Sequence, residues 1–331
     1  MGVRHTTQAR PEADLLAAGR PSICVVICAY TADRWTELLA ACESVLPQLQ
    51  PADSLVVVID HNPALYARAK AALREARVVE SDGVPGLSGA RNTGVAAGCS
   101  DIVAFLDDDA AARTGWVEKL RRAFTDGSVR VVGTAVHPRW EGARAPRWFP
   151  AEFNWVVGCS YRGMPVQRSE VRNPIGASMA VRREAFTAAG LFSTAMGRVG
   201  TLPAGCEETE FCIRVTARIP DATIVYEPAG MVDHLVPSQR QTIKYFLRRC
   251  YHEGRSKAVV AHLGGARSAL AAERRYLRST LPRAFALGVL DGVRGDAAGP
   301  LRSSALVAGL SAAVAGFVTG RIGITRRPAD G

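Results

Sequence analysis

Short apolar runs alternate with longer segments of helical spacing along the N-terminal part of the chain. An uninterrupted apolar run is typical of a strand buried on both faces, whereas apolar residues three and four positions apart indicate a helix. The predicted strands are Ile23–Ala29, Leu55–Ile59, Val78–Val79, Ile102–Leu106 and Val129–Val136. The predicted helices are Trp35–Leu49, Ala64–Ala76, Arg91–Ala97 and Trp116–Phe124. Strands that alternate with helices predict an α/β fold, in which helices flank a mainly parallel sheet.

Beyond residue 137 the pattern becomes irregular. An aromatic, proline-rich stretch follows and is predicted to form a loop over the sheet edge, with Trp148 and Trp155 favouring the core over a stacking role. Later elements are predicted at Ala177–Val181 (strand), Glu207–Ala217 (helix), Ile224–Tyr226 (strand) and from Thr242 onward (helix, interrupted at Gly264-Gly265 and Pro282). We therefore expect a flexible tail over residues 1–20, a domain over 21–240 that divides at residue 136, and a basic helical region over 241–331.

Polar side chains follow three of the predicted strands at the point where each strand ends. They are Tyr30, Asp60 and the triplet Asp107–Asp109. Since ligands bind at the carboxyl ends of parallel strands, these side chains mark one edge of the sheet as a binding site. Adjacent carboxylates repel one another unless a cation joins them, and their hard oxygens suit Mg²⁺ or Mn²⁺. Alternation along an extended segment favours convergence of Asp107 and Asp109; the alternative is an acidic turn that caps the next helix.

Composition limits the classes of protein to be considered. The chain has 331 residues, of which 48% are hydrophobic, enough for one large α/β domain with an appendage. Its eight cysteines include no C-x-x-C pair and mostly lie in apolar segments, which indicates a reducing cytoplasm and neither a disulfide framework nor a zinc site. No run of about 20 apolar residues is seen, and residues 1–20 hold no apolar segment, so neither a transmembrane helix nor a signal peptide is expected.

Positive charge is concentrated at the C-terminal end. Sixteen Lys and Arg and five Asp and Glu lie between Arg240 and Gly331, a balance of +11 in a chain whose net charge is +10. Two small-residue apolar segments, Ala284–Leu290 and Ala305–Val318, are too short to span a membrane comfortably. Together these features predict a cytoplasmic protein whose helices lie on the anionic inner face of the cell membrane. The alternative is ordinary packing against the preceding domain; nucleic acid is not an expected partner, because no motif for it accompanies the charge.

Six segments carry a family resemblance. They are Val25–Tyr30 (VVICAY), Val56–Asp60 (VVVID), Gly86–Gly94 (GLSGARNTG), Phe105–Asp109 (FLDDD), Asn173–Arg183 and Cys206–Arg214. In this order and spacing the chain resembles the family 2 glycosyltransferases, which are inverting enzymes with the GT-A fold. The resemblance covers roughly residues 21–260. It implies a GT-A catalytic domain over 21–240, with a nucleotide-binding half (21–136) and an acceptor half (137–240).

The resemblance implies roles for side chains at the sheet edge. Tyr30 flanks the nucleobase, Asp60 accepts a hydrogen bond from a uracil-type imide N–H, and Arg91 contacts the donor nucleotide. Each has a structural alternative: packing for Tyr30, a helix cap for Asp60, and an ion pair with an aspartate of the sheet edge for Arg91. The expected donor is therefore a UDP-sugar.

The same resemblance assigns a metal site. Asp109 binds Mg²⁺ or Mn²⁺ directly, and Asp107 and Asp108 contact the ribose or the waters of the metal, with Asp107 also a candidate ligand. His234 completes the metal shell or touches the diphosphate; a satisfied core or loop histidine is the alternative. The metal acts as a Lewis acid that stabilises the departing nucleoside diphosphate.

The acceptor half is expected to supply the catalytic base. In the family, the second acidic residue of a Glu-Asp pair deprotonates the acceptor hydroxyl, and here that residue is Glu208. Because Glu is one methylene longer than Asp, Glu207 is the alternative base and Glu210 a weaker one; acidic residues at a helix start also favour the helix dipole. The expected reaction is direct displacement with inversion, onto a saccharide or lipid-linked acceptor of the cell envelope. The alternatives are a soluble small-molecule acceptor and a non-catalytic nucleotide-sugar-binding protein.

Overall fold

The computed structural model describes residues 20–194, 206–264, 274 and 276–325. The predicted tail, apart from Arg20, and the predicted break at Gly265 lie outside this range. The strands are β1 (Ile23–Ala29), β2 (Ser54–Ile59), β3 (Arg77–Glu80), β4 (Ile102–Asp107), β5 (Ala110–Ala112), β6 (Val129–Trp140), β7 (Ser169–Glu170), β8 (Ser178–Arg182) and β9 (Thr223–Val236). The α-helices are α1 (Trp35–Val45), α2 (Pro63–Ala72), α3 (Leu87–Ala97), α4 (Trp116–Ala123), α5 (Arg183–Ala189), α6 (Glu207–Arg218), α7 (Ile243–Gly264), α8 (Leu281–Val293) and α9 (Ala298–Thr325).

One nine-stranded sheet organises the described residues, in the order β3-β2-β1-β4-β8-β6-β9-β5, with β7 paired to β9. The strands from β3 to β4 run parallel, as the alternating pattern predicts. Beyond β4 the sheet is mixed, because β8 runs antiparallel to both β4 and β6, but β6 and β9 again pair in parallel, so most of the strands share one direction as predicted. The described segment between β6 and β8 holds a 3-10 helix (Ala151–Val157) but no α-helix, and an antiparallel strand does not require a helical crossover.

Strand β9 is much longer than the three residues predicted for it. It pairs in parallel with β6 through a shift of register between Thr134 and Ala135, and its second half alternates between buried and partly exposed positions. The polar residues of that half interrupt the apolar run on which the prediction rested. The extension matters because it carries His234 to the sheet edge that holds the aspartates.

Two apolar clusters cover the two faces of the sheet. The larger one includes residues of α1, α2 and α4, and the smaller one residues of α3, α5 and α6. Phe246, Leu281 and Leu306 of the C-terminal helices belong to the larger cluster, so this basic region packs against the sheet domain. Trp148 was predicted to lie in the core, and its ring packs against Phe246 at the border of the larger cluster.

The C-terminal helix α9 is twice as long as the apolar segment Ala305–Val318 that the sequence indicated. Its segment Ala298–Gly323 is long and apolar enough to cross a membrane, with an 18-residue window whose mean hydropathy is 1.6 and of which only 17% is buried. No transmembrane helix was expected from the sequence, yet by length and composition alone this helix could serve as one. Glycine and serine residues break the apolar run in the sequence, but the helix continues through them.

Packing of α3 against β1 depends on Gly94, because a Cβ atom there would overlap the side chain of Val26. We expect Gly94→Ala to lower the free energy of unfolding by about 1–3 kcal/mol, since overpacking outweighs the gain of up to about 1 kcal/mol in helix propensity. Urea unfolding would measure the change. Gly127→Ala is the matched control, because a Cβ at Gly127 meets no atom within 4 Å. Equal stability of the two variants would contradict this account of the packing.

Candidate active site

The central feature of the site is a cluster of two carboxylates and one imidazole. Asp107 ends β4, Asp109 precedes β5, and the antiparallel pairing of Ala110 with His234 brings the histidine beside them. Potential ligand atoms of Asp107, Asp109 and His234 lie within 4.8 Å of one another. The Nε2 atom of His234 lies 3.1 Å from Asp109 Oδ1 and 4.0 Å from Asp107 Oδ2. The structure therefore brings together the three residues that the sequence offered as metal ligands.

Two arginines that the sequence did not assign to the site contact the second and third carboxylates of the triplet. Arg34 Nη1 lies 2.5 Å from Asp108 Oδ1 and 3.3 Å from Asp109 Oδ2. Arg240 Nη2 lies 3.4 Å from the same Asp109 oxygen. The sequence signal was their position, since each arginine follows closely after the end of a strand at this edge. Their charges offset the repulsion between Asp108 and Asp109.

Burial and mutual contact shift the protonation of the cluster. Burial and the charge of Asp109 raise the pKa of Asp108 to about 7 in spite of Arg34. Burial alone would raise the pKa of Asp109, but His234, Arg240 and Arg34 lower it below its usual value. Burial would lower the pKa of His234, yet the Asp109 carboxylate raises it to about 10. A divalent cation bound here would take the place of the proton on His234.

The donor set fits Mn²⁺ or Mg²⁺, with one distinction. Carboxylate oxygens from Asp107 and Asp109 suit both ions. An imidazole ligand such as His234 favours a transition metal over Mg²⁺, which prefers oxygen. The residues present therefore fit a divalent metal, and Mn²⁺ better than Mg²⁺.

The predicted nucleobase residues lie at the carboxyl ends of β1 and β2. The Asp60 carboxylate accepts a hydrogen bond from the backbone N–H of Gly86 (2.9 Å) and lies 2.7 Å from His61 Nδ1. Asn62, not Asp60, caps α2, so the helix-cap alternative does not apply to Asp60. Tyr30 is 42% exposed, with the guanidinium of Arg34 5.2 Å from its ring centroid, which leaves part of the ring open to a ligand.

Arg91 is buried, with 2% of its side chain exposed. It forms an ion pair with Glu207 Oε1 (3.0 Å), donates to the carbonyl of Gly176 (3.0 Å) and lies 3.5 Å from Asp107 Oδ1. The structure thus shows the ion pair with a sheet-edge aspartate that was the alternative for this residue. Its contact with the donor nucleotide stays a prediction. Arg91 links the aspartate edge to the first turn of α6.

The three glutamates in the first turn of α6, Glu207, Glu208 and Glu210, lie in different environments. Glu207 is buried and paired with Arg91, and its Oε2 has no hydrogen-bond partner among the described residues. Glu210 pairs with Arg214 at 2.5 Å. Glu208 keeps partial exposure, and burial together with the charge of Glu207 raises its pKa to about 8. Glu208 therefore combines partial exposure with a raised pKa.

A cavity of about 1180 Å³ joins these groups to the C-terminal helices. Asp107, His234, Glu207 and Glu208 line one part of it. Its apolar lining includes Phe153 and Trp155 of the aromatic stretch and Leu310, Val314 and Phe317 of α9. The cavity therefore has charged side chains in one part of its wall and apolar side chains in another.

Comparison with known proteins assigns the family. The family model described as "Glycosyl transferase family 2" matches residues 24–189. The chain is 32% identical over 242 residues to the glucosyl-dolichyl phosphate glucuronosyltransferase of Haloferax volcanii, covering 72% of this chain and 77% of that one. It is 30% identical over 177 residues to the pre-mycofactocin glycosyltransferase of Mycobacterium tuberculosis, covering 53% and 35%.

A solved structure supports the same fold. The mannosyltransferase PcManGT from Pyrobaculum calidifontis, in complex with GDP-Man and Mn²⁺, superposes with a TM-score of 0.57 at 18% identity, covering 90% of this chain and 87% of that one. At this identity the likeness concerns the fold alone. The predicted α/β architecture and the predicted enzyme class are both confirmed. The chain belongs to glycosyltransferase family 2 and is a glycosyltransferase with the GT-A fold.

Proposed function

We propose that this glycosyltransferase moves a sugar from a nucleoside-diphosphate donor to a hydroxyl of a lipid-linked acceptor, with inversion at the anomeric carbon. One observation carries the proposal: a single cavity connects Glu208 and the Asp107–His234 edge to an apolar wall formed by α9. A polar reaction centre and a hydrocarbon-lined wall in one cavity suit a substrate that has both parts. The division into a nucleotide-binding half (21–136) and an acceptor half (137–240) belongs to this proposal.

The donor occupies the carboxyl ends of β1, β2 and β4. Tyr30 flanks the base, and Asp60 retains acceptor capacity beside its contacts with Gly86 and His61, which favours a UDP-sugar with its imide N–H. Asp107, Asp109 and His234 would hold Mn²⁺ or Mg²⁺, which would neutralise the charge of the departing diphosphate. Asp108 stays with Arg34 and fixes the turn that positions its neighbours.

Glu208 acts as the general base. It removes the proton from the acceptor hydroxyl while the hydroxyl oxygen bonds to the anomeric carbon and the bond from that carbon to the diphosphate breaks. Glu207 is held by Arg91 and supplies charge rather than proton transfer. Burial and the charge of Glu207 together raise the pKa of Glu208, which makes Glu208 a stronger base than an ordinary carboxylate.

Transfer should depend on pH through Glu208. Only its carboxylate form accepts a proton, and burial and Glu207 raise its pKa to about 8. We therefore expect kcat/KM for the acceptor to rise with pH between about pH 6 and 8 and to level off above, because the base of the free enzyme is protonated below its pKa. The profile of Glu208→Gln, at its residual rate, should lack this rise. A wild-type rate that is flat or falls over the same interval would contradict the assignment.

The acceptor assignment can be tested by direct transfer. Purified enzyme, Mn²⁺ and a radiolabelled UDP-sugar would be incubated with an isoprenoid-linked saccharide in vesicles or with a soluble glycoside of the same saccharide. The proposal predicts label in the organic phase at a higher rate than on the soluble glycoside. Preference for the soluble glycoside would support the soluble-acceptor alternative, and donor binding without any transfer would support the non-catalytic one.

The C-terminal helices are proposed to rest on the cytoplasmic face of the membrane. Large apolar side chains on α8 and α9 are exposed. They include Phe285, Leu287, Val289, Leu290, Val293, Leu301, Val307, Val314, Val318 and Ile322. The surrounding basic charge suits anionic lipid, and an exposed apolar face of this size is unusual on a protein surrounded by water alone.

Vesicle flotation tests this surface. Wild-type protein should float with vesicles that contain anionic lipid, and more weakly with neutral vesicles or at high salt. The variant Val307→Glu/Val318→Glu should float several-fold less, since a charge in the interface is costly, by about 2–3 kcal/mol at full depth. Val166→Glu is the matched control, because Val166 is 89% exposed but lies outside these helices. Equal flotation of all three proteins would refute this surface.

A further inference from the structure

Three charged side chains of α7 face the active-site cavity on successive helical turns. They are Arg249, Glu253 and Lys257, and all three line the cavity that contains Glu208. Arg249 Nη1 lies 3.0 Å from Glu253 Oε2, and Lys257 Nζ lies 3.5 Å from Glu253 Oε1. Their side chains are only 9%, 17% and 17% exposed. The chemistry described so far gives none of them a role.

Glu253 lies between the two cations of the cluster. Burial opposes ionisation of Glu253, yet Arg249 and Lys257 lower its pKa to about 2, so that its carboxylate stays ionised between them. The Nε of Arg249 has no hydrogen-bond partner among the described residues. Cations in the wall of a cavity can donate charge-assisted hydrogen bonds to an anion that enters it. Glu253 thus fixes the geometry of the two cations at the cavity wall.

The position of the cluster relates it to the acceptor rather than the donor. Cys206, the residue before Glu207 and Glu208, places its Sγ 3.7 Å from Glu253 Oε1. The helix that carries the cluster, α7, also packs along α9, whose residues form the apolar wall of the cavity. At the aspartate edge, by contrast, Arg34 and Arg240 serve as the cations. The α7 cluster therefore lies between the proposed base and the hydrocarbon-lined wall.

We propose that Arg249 and Lys257, positioned by Glu253, form a subsite that binds a phosphate group of the lipid-linked acceptor, an inference that rests on the proposed function. The guanidinium and the ammonium donate charge-assisted hydrogen bonds to the phosphate oxygens. The lipid attached to that phosphate runs along the side chains of α9. The enzyme accordingly selects phosphate-bearing glycolipids over neutral ones.

Two variants and one control isolate the subsite. Lys257→Met removes one cation and leaves the pair of Arg249 with Glu253 intact. Arg249→Met/Glu253→Gln removes the other cation together with its partner, so that no lone carboxylate stays buried. Arg248→Met is the control, because Arg248 is exposed on the same helix. Thermal unfolding of each protein would show that the variants are folded.

Binding of farnesyl phosphate and of farnesol provides a readout that needs no turnover. Trp155 lines the cavity, so its fluorescence should report occupancy. Wild type and Arg248→Met should bind farnesyl phosphate at least about 10-fold more tightly than farnesol. Lys257→Met and the double variant should lose most of that preference while binding farnesol equally well. Equal affinity of wild type for the two lipids, or an undiminished preference in both variants, would overturn the proposal.

Two further ligands identify the source of the anion. Inorganic phosphate should compete weakly with farnesyl phosphate, because it lacks the lipid; competition as strong as that of the lipid would show a general phosphate site and overturn the acceptor assignment. Free glucuronate should not compete, and strong competition would assign the cations to a sugar carboxylate instead. UDP binding in the presence of Mn²⁺ is measured separately. Its failure would count against the proposed function, while the farnesyl phosphate result would still decide on the subsite.

Discussion

Glu208→Gln is expected to lower the rate of transfer by about 10²–10⁴-fold, the usual contribution of a general base. Glutamine has nearly the same shape but cannot accept the proton of the acceptor hydroxyl. Donor binding should be unchanged, since Glu208 belongs to the proposed acceptor half and makes no hydrogen bond or ion pair with Asp107, Asp109 or His234. Steady-state kinetics with both substrates, together with UDP titration, would separate the two effects.

Two neighbouring glutamates supply the comparison. Glu210→Gln is the matched control, because Glu210 lies on the same helix and pairs with Arg214 rather than facing the cavity. Glu207→Gln removes the partner of buried Arg91 and should reduce stability by about 3–5 kcal/mol, as loss of one partner of a buried ion pair does. A stable Glu207→Gln enzyme without transfer, beside an active Glu208→Gln enzyme, would place the base one residue earlier.

Asp109→Asn should weaken metal binding and lower transfer by about 10³-fold, because a metal contributes several kcal/mol of charge stabilisation. Asp109 is buried, faces His234 at 3.1 Å and has no substitute among the described residues of the cluster. Titration with Mn²⁺, followed by electron paramagnetic resonance, measures the affinity without any need for turnover. Asp126→Asn, a change at an exposed carboxylate, is the control. An unchanged Mn²⁺ affinity in Asp109→Asn would contradict the metal assignment.

The N-terminal half of the sheet was predictable because its signals are local. The runs Ile23–Ala29 and Ile102–Leu106 are short, fully apolar and followed by polar residues, and they form β1 and β4 within one residue. Asp107 and Asp109 do converge as predicted, although Asp108 and Asp109 form a turn between β4 and β5 and not the extended segment on which the prediction rested. Local pattern therefore located the acidic edge of the site.

Long-range pairing determined what the sequence did not reveal. The place of His234 in the cluster depends on the register of β5 against β9, and the pair of Arg91 with Glu207 joins residues 116 positions apart. No periodicity encodes such contacts. Arg34 and Arg240 escaped assignment because a single arginine after a strand has many uses, and only the fold shows that both reach Asp109.

Helix α9 shows a different limit of sequence reasoning. Its glycines and serines appear as interruptions of an apolar segment, yet small residues let it pack closely against α7, where Gly254 faces Ala313 and Gly316 faces Tyr251. A helix that packs by small residues on one side and exposes apolar ones on the other fits both a protein contact and a membrane surface. The sequence thus indicated the chemistry of this region but not its length.

The anomeric configuration of the product tests the central claim most directly. Wild-type enzyme would be supplied with a UDP-α-sugar and a lipid-linked acceptor, and the coupling constant of the new anomeric proton would be read by NMR. A single displacement with Glu208 as base predicts a β-linked product. An α-linked product would contradict the mechanism, because retention requires a second displacement or an attack from the leaving-group face, and Glu208 as general base accounts for neither.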